Sequence, residues 1–146
     1  MVSVAGGKLT THRRIAMDVL HRLADERARR HRLEDVPLPG AGEPPPRPPD
    51  VDNALWDNLV RHYGSEAPRL VAYRDTHEDA LERIHPDAPI VWAQVYHGAL
   101  EEWARGVDDI VRRRTTLAVR GLATDDVRER IGRRLSSLPA PSGTGR

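Results

Sequence analysis

The segment Gly6-Gly7-Lys8-Leu9-Thr10 holds the residue types and spacing best suited to chemistry. Two glycines let a backbone approach a ligand with no Cβ in the way. Thr10 and Thr11 stand where a helix should begin, and a helix N-terminus presents unpaired N–H groups with a partial positive charge. Lys8 adds a full one. The combination suits an anionic oxygen, either a phosphate or an electron-rich carbonyl on a cofactor ring. It is not a P-loop, because the first glycine of the four-residue spacing is absent. Taken alone, the same residues also describe a plain turn with a solvated lysine. Among 23 Lys and Arg residues Lys8 is the only lysine, and a compact ammonium does what a planar guanidinium does not.

The elements that must position this segment can be read on either side of it. Val2 to Ala5 alternates small and β-branched residues and predicts a short strand ending in the glycine turn. Ile15, Val19, Leu20, Leu23 and Ala24 recur at helical spacing, predicting a helix capped by Thr10 or Thr11 and running to about Leu33. Seven prolines and two glycines then crowd residues 36–50, which predicts an extended connector and a boundary between two units. Beyond it the pattern is helical. Residues 52–63 carry Leu55, Trp56, Leu59 and Val60 on one face and stop at Gly64. Ser65 is expected to cap a short helix, and Thr76 with Asp79 to form a capping box. A long helix is expected from Pro89 to Ala104, centred in the core, with Trp92 and Trp103 inward. Ile110, Val111, Leu117 and Val119 continue inward to Gly121, and Thr124 caps a last helix. The expected fold is mainly α: a strand-turn-helix unit over residues 1–35, a connector over 36–50, a small helical bundle over 51–135 and a disordered tail over 136–146.

Other chemistries find little support. The chain of 146 residues has no cysteine and a formal net charge of +1, which removes disulfides and thiolate sites and argues against a dedicated nucleic-acid binder. No metal site is expected, since the seven histidines lack a paired spacing with a carboxylate. His62, His77, His85 and His97 are expected at the surface or hydrogen-bonded, and Trp56, Trp92 and Trp103 as core anchors. Arg112-Arg113-Arg114 spans nearly a helical turn and reads as a solvated or carboxylate-paired face. No apolar run reaches the roughly 18 residues of a membrane-spanning helix, and the N-terminus lacks a signal-peptide layout. A cytoplasmic location is the expectation.

The string Val2-Ser3-Val4-Ala5-Gly6-Gly7-Lys8-Leu9-Thr10-Thr11-His12-Arg13 closely resembles the segment closing the FAD-binding domain of FAD-dependent glycerol-3-phosphate dehydrogenases and the related glycerophosphate oxidases. Downstream, His62-Tyr63-Gly64-Ser65 and then Glu102, Ala104, Asp109, Arg113-Arg114-Thr115 and Leu117 resemble that family's helical C-terminal domain in order and spacing. Gly106 departs from it, standing where a helix-capping Thr is more usual, so a looser helix start is expected there.

The resemblance implies a C-terminal fragment or split portion of such an enzyme. Gly6, Gly7, Lys8, Leu9 and Thr10 would contact FAD, with Lys8 as the catalytic electrostatic group. The Arg cluster would be structural, docking against the FAD domain being one such role. No Gly-x-Gly-x-x-Gly follows a strand here, so the expectation is that the chain alone binds no FAD and is inactive. Its partner would be an FAD-binding domain, in cis or as a separate chain, with quinone and glycerol 3-phosphate engaged only by a complete enzyme, and peripheral attachment at the inner face of the membrane is the alternative to a free cytoplasmic location. The alternative is a stand-alone helical module that uses its basic first helix to bind a protein or nucleic acid.

Overall fold

A computed structural model of the chain describes residues 3–5, 8–23 and 36–139. The chain divides into two compact units, Met1–Val36 and Pro37–Arg146. In the first, a 3-10 turn (Leu9–Thr11) leads directly into helix α1 (His12–Leu23). The expected strand is not seen. A strand exists by pairing its backbone with a neighbour, and residues 3–5 form no ladder among the described residues. Val2, the glycine pair and the expected run of the helix to Leu33 lie outside the described residues. The threonines also act differently from the expectation: the Thr11 hydroxyl donates to the Lys8 carbonyl at 2.8 Å, tightening the 3-10 turn instead of accepting a helix N–H. No residue of α1 is buried.

The second unit opens with the Pro-rich segment, which is tied down along its length. Arg47 donates to the Val51 carbonyl, Asp50 pairs with Arg74, and Ser65 N donates to the Gly40 carbonyl at 3.1 Å. Helix α2 (Asn53–Tyr63) follows, capped by Asp52, whose side chain accepts from Leu55 N. It ends at Gly64, whose φ of 55° is the left-handed conformation that glycine adopts without steric cost. Gly40 and Gly64 also touch backbone to backbone, so that a methyl on either would strike the other's chain. Ser65 lies inside a 3-10 turn (Gly64–Glu66) ahead of α3 (Ala67–Ala72), whose N-cap is Glu66. The capping box expected at Thr76 does not form, because Thr76 donates back to Tyr73 and residues 78–82 are turns and bends.

Helix α4 (Trp92–Leu100) is the centre of the core, buried from Trp92 to Ala99. It is shorter than its apolar pattern at both ends. Pro89 to Val91 are used in an isolated antiparallel bridge between Arg83 and Val91, with Ile84 N donating to the Ile90 carbonyl at 2.8 Å. The first N–H groups of the helix then donate to Glu82 and Ala80 carbonyls, while Gln94 Oε1 accepts from Val91 N. At the other end Glu101 and Glu102 both donate to the His97 carbonyl, and Ala104 N reaches back to Gly98 at 2.8 Å. That closure requires a left-handed residue, and here it is Trp103 with φ 61°. Trp103 is 73% exposed, which corrects its expected place in the core; its residue position is the turn itself.

Helix α5 (Val107–Asp109) runs on as a π turn (Ile110–Arg114), and α6 (Asp125–Ser137) closes the unit. Thr115 gives both its N–H and its hydroxyl to the Ile110 carbonyl, stabilising the five-residue spacing of the π turn. Val119, expected inward, is 86% exposed, because helical periodicity stops at Thr115. Thr124 caps α6 as expected, accepting from Val127 N. Leu59, Leu70, Ile84, Val95, Ile110, Leu117 and Ile131 form the fully buried centre.

Two substitutions test these turns by urea denaturation. Gly64→Ala, which adds a left-handed penalty to a backbone collision, should destabilise the chain by about 2 kcal/mol or more. Trp103→Gly should leave stability unchanged or raise it by up to about 1 kcal/mol, since the left-handed penalty is relieved and little burial is lost.

Candidate functional site

Lys8 sits where extended backbone turns into the 3-10 turn, with φ −79° and ψ 148°. Its side chain is exposed. Its carbonyl accepts from Thr11 twice, through N–H at 3.0 Å and hydroxyl at 2.8 Å, and His12 Nδ1 lies 2.7 Å from the Leu9 carbonyl. The start of α1 is thus ordered by local bonds that leave the ammonium free to meet a ligand. Lys8, Leu9 and His12 border an open groove of about 730 Å³ that continues along Ile15, Val19 and Leu20. Leu9 is 86% exposed. Of the sequence-predicted site, Lys8, Leu9 and Thr10 lie together on this turn, while Gly6 and Gly7 lie outside the described residues.

The downstream residues carrying the resemblance converge on one joint in the second unit. Arg114 Nη2 donates to the Glu102 carbonyl at 2.6 Å, and Arg114 Nε lies 3.1 Å from Glu102 Oε2. Asp109 Oδ2 accepts from Arg105 N at 2.8 Å and Gly106 N at 3.2 Å. Those N–H groups hold its carboxyl below the usual range, with help from Arg113. The helix start at Gly106 is therefore secured from Asp109, three residues on, although a cap side chain is missing. Arg112 pairs with Asp108. The three arginines are carboxylate-paired, as expected; Arg112 and Arg113 pair one turn back with Asp108 and Asp109, and Arg114 alone reaches the turn after α4.

Beside this joint lies a half-buried polar cluster. The His97 ring packs edge-on to Tyr63 at 5.4 Å, with Nε2 3.8 Å from Glu102 Oε1 and a buried Nδ1 lacking a hydrogen-bond partner. Burial lowers its pKa, opposed by Glu102. Burial also pushes the Tyr63 phenol up to about 12. Asn58 donates to Gln94 Oε1 at 3.4 Å, so the oxygen that caps α4 also fastens α2. His97 is more buried than its expected place among surface histidines. A second network, unmarked in the sequence, joins Asp79 to the Tyr96 hydroxyl at 2.6 Å and to Arg134. Among the described residues no group of His, Asp or Glu is arranged to hold a metal ion.

The family model of the C-terminal domain of alpha-glycerophosphate oxidase matches residues 5–137. The chain belongs to this family. It is similar to glycerol-3-phosphate dehydrogenase 1 of Mycobacterium tuberculosis and of Mycobacterium bovis, 38% identical in each case over 134 residues, which is 90% of this chain and 25% of the relative. It is also similar to glycerol-3-phosphate dehydrogenase of Synechocystis, 30% identical over 130 residues, or 82% of this chain and 24% of the relative. The chain thus spans about a quarter of the length of these relatives. No solved structure matches it. The glycerophosphate oxidase C-terminal domain match runs through Lys8 and through the Glu102, Asp109 and Arg114 joint alike.

His97 gives this polar cluster a pH signature. Its folded pKa lies below the ordinary value of 6.5, so the unfolded chain binds the proton more readily, and stability falls as pH drops through 6.5 until the folded pKa is passed. His97→Gln should flatten this part of the profile. Urea midpoints measured between pH 8 and 5 check it, and a parent and variant with parallel profiles would remove His97 as the cause.

Proposed function

We propose that this chain is the C-terminal portion of an FAD-dependent glycerol-3-phosphate dehydrogenase, unable to act without the FAD-binding portion, present in cis or as a separate chain. The observation that carries this reading is the pairing of an exposed Lys8 with an apolar groove on a helix that buries none of its own residues, within a segment covered by the family match. An amphipathic helix gains stability by burying its apolar face, and the part of the relatives that this chain does not span would supply the cover.

The residues present fit the edge of a flavin. Lys8 Nζ would hold an anionic oxygen of the cofactor, with the backbone of Leu9 and Thr10 alongside, and Gly6 and Gly7 would allow the close approach. When bound, FAD supplies the two-electron acceptor for oxidation of C2 of sn-glycerol 3-phosphate to dihydroxyacetone phosphate, with a quinone as the final acceptor. The contribution of this chain is a fixed positive charge where negative charge develops, together with a helical unit that braces the FAD-binding portion. We place the assembled enzyme in the cytoplasm, with attachment at the inner face of the membrane as a further element of the proposal. A stand-alone interaction module would use the same stripe on α1, but that reading leaves the lone lysine without a task.

Purified alone, the chain should carry no flavin absorbance after dialysis; a stoichiometric flavin spectrum would overturn the need for a partner. In the complete enzyme, Lys8→Ala and Lys8→Arg should each slow flavin reduction by glycerol 3-phosphate about 10²-fold or more in stopped flow, the scale of losing one preorganised electrostatic contact. Circular dichroism should be unchanged. Arg113→Ala should instead cost about 1 kcal/mol or less in stability, as the loss of an exposed ion pair, and leave the reduction rate alone. Reduction by Lys8→Ala at the parent rate would sink the role assigned to Lys8.

A further inference from the structure

The second unit has a groove that the proposed function does not use. It measures about 350 Å³ and is lined by Glu82, Trp92, Arg130, Arg133, Arg134 and Ser137. Three of the six are guanidinium groups, brought to one side of α6 by their spacing of three and four residues. Two of them pack against Trp92. Arg130 and Arg134 lie over the Trp92 ring at 5.4 and 5.2 Å. Arg130 Nη1 also donates to the Ile84 carbonyl at 3.1 Å. Arg134 is paired with Asp79 and Arg133 with Glu129, and Asp126 lies 3.6 Å from Arg130.

These partners occupy part of each guanidinium. With five N–H donors apiece, the three arginines keep donors for a ligand, and the contacts of Arg130 and Arg134 with Trp92 hold two of the guanidinium planes, which lowers the ordering cost of binding. A rigid fork of donors matches phosphate geometry. Glu82 is the one acidic side chain in the lining and is repulsive to a bare anion, but it accepts a hydrogen bond from a hydroxyl. The Ser137 hydroxyl donates to the Arg134 carbonyl at 2.8 Å and retains lone pairs for a second hydroxyl.

We propose that this groove binds a small phosphate monoester that also carries free hydroxyls, its phosphate on the three arginines and a hydroxyl on Glu82. The site belongs to the second unit and does not depend on the role given to Lys8.

The test uses calorimetric titration of the 146-residue chain at constant ionic strength, with inorganic phosphate, glycerol 2-phosphate and glycerol as probes and chloride as the balancing anion. Glycerol 2-phosphate should bind saturably and several-fold more tightly than phosphate, and glycerol should not bind. Arg133→Gln removes an exposed guanidinium whose recorded pairing is with Glu129, so folding is preserved, and it should weaken both phosphates about tenfold. Glu82→Gln should tighten inorganic phosphate and narrow the gap between the two. Absence of saturable binding by either phosphate, or an Arg133→Gln variant that binds like the parent, would overturn the site. Equal affinity for the two phosphates would overturn the hydroxyl assignment to Glu82.

Discussion

The joint after α4 is the constraint on which the second unit depends. The chain must leave a buried helix, reverse and begin another helix within six residues, from Glu101 to Gly106. Arg114 makes this possible by binding the Glu102 carbonyl from across the turn, and Asp109 does so by collecting the N–H groups of Arg105 and Gly106. A left-handed Trp103 costs about 1–2 kcal/mol, which these charge-assisted bonds offset. With the joint closed, Gly98 lies against Ile110 and Arg114 without room for a side chain between them, and the π turn docks on α4. Breaking the joint would separate the two halves of the core.

The same economy governs the polar groups inside. Gln94 is 1% exposed, yet its oxygen accepts from Val91 N and Asn58, so one buried amide caps α4 and fixes α2 against it. Buried polar groups are stabilising only when paired, and His97, whose Nδ1 is buried without a hydrogen-bond partner, departs from that rule; burial of its ring disfavours the protonated form. At the joint, Glu102, Asp109 and Arg114 bond to the turn itself. Chemistry, on the reading offered here, is confined to the short turn around Lys8.

Much of this was legible from pattern. The helical class, the ends of α2 at Asp52 and Gly64, the cap at Thr124 and the central place of α4 all follow from local rules, and so does the family resemblance carried by the turn and the joint. What escaped was decided by tertiary contact. The apolar run from Pro89 suggested a longer helix because periodicity does not reveal that Ile90 and Val91 pair with the chain at Arg83 and Ile84. Trp103 looked inward because left-handed turns built without glycine have no composition signal. Val119 was misplaced because the chain leaves the helix at Thr115, so the helical period no longer sets which side chains face inward. The expected N-terminal strand needs a pairing partner, and among the described residues none pairs with residues 3–5. For the candidate site, the sequence named Lys8 and its turn, but it gave no sign that Trp92 and three arginines of α6 share a groove.

The exposure of Trp103 has a spectroscopic consequence. Trp56 and Trp92 are buried and Trp103 is in water, so the three indoles report from different environments within one emission spectrum. A soluble collisional quencher reaches Trp103 first, which makes that residue a native optical gauge of the joint between α4 and α5. Its signal follows the local geometry of the turn separately from the folding of the core, without any label being attached.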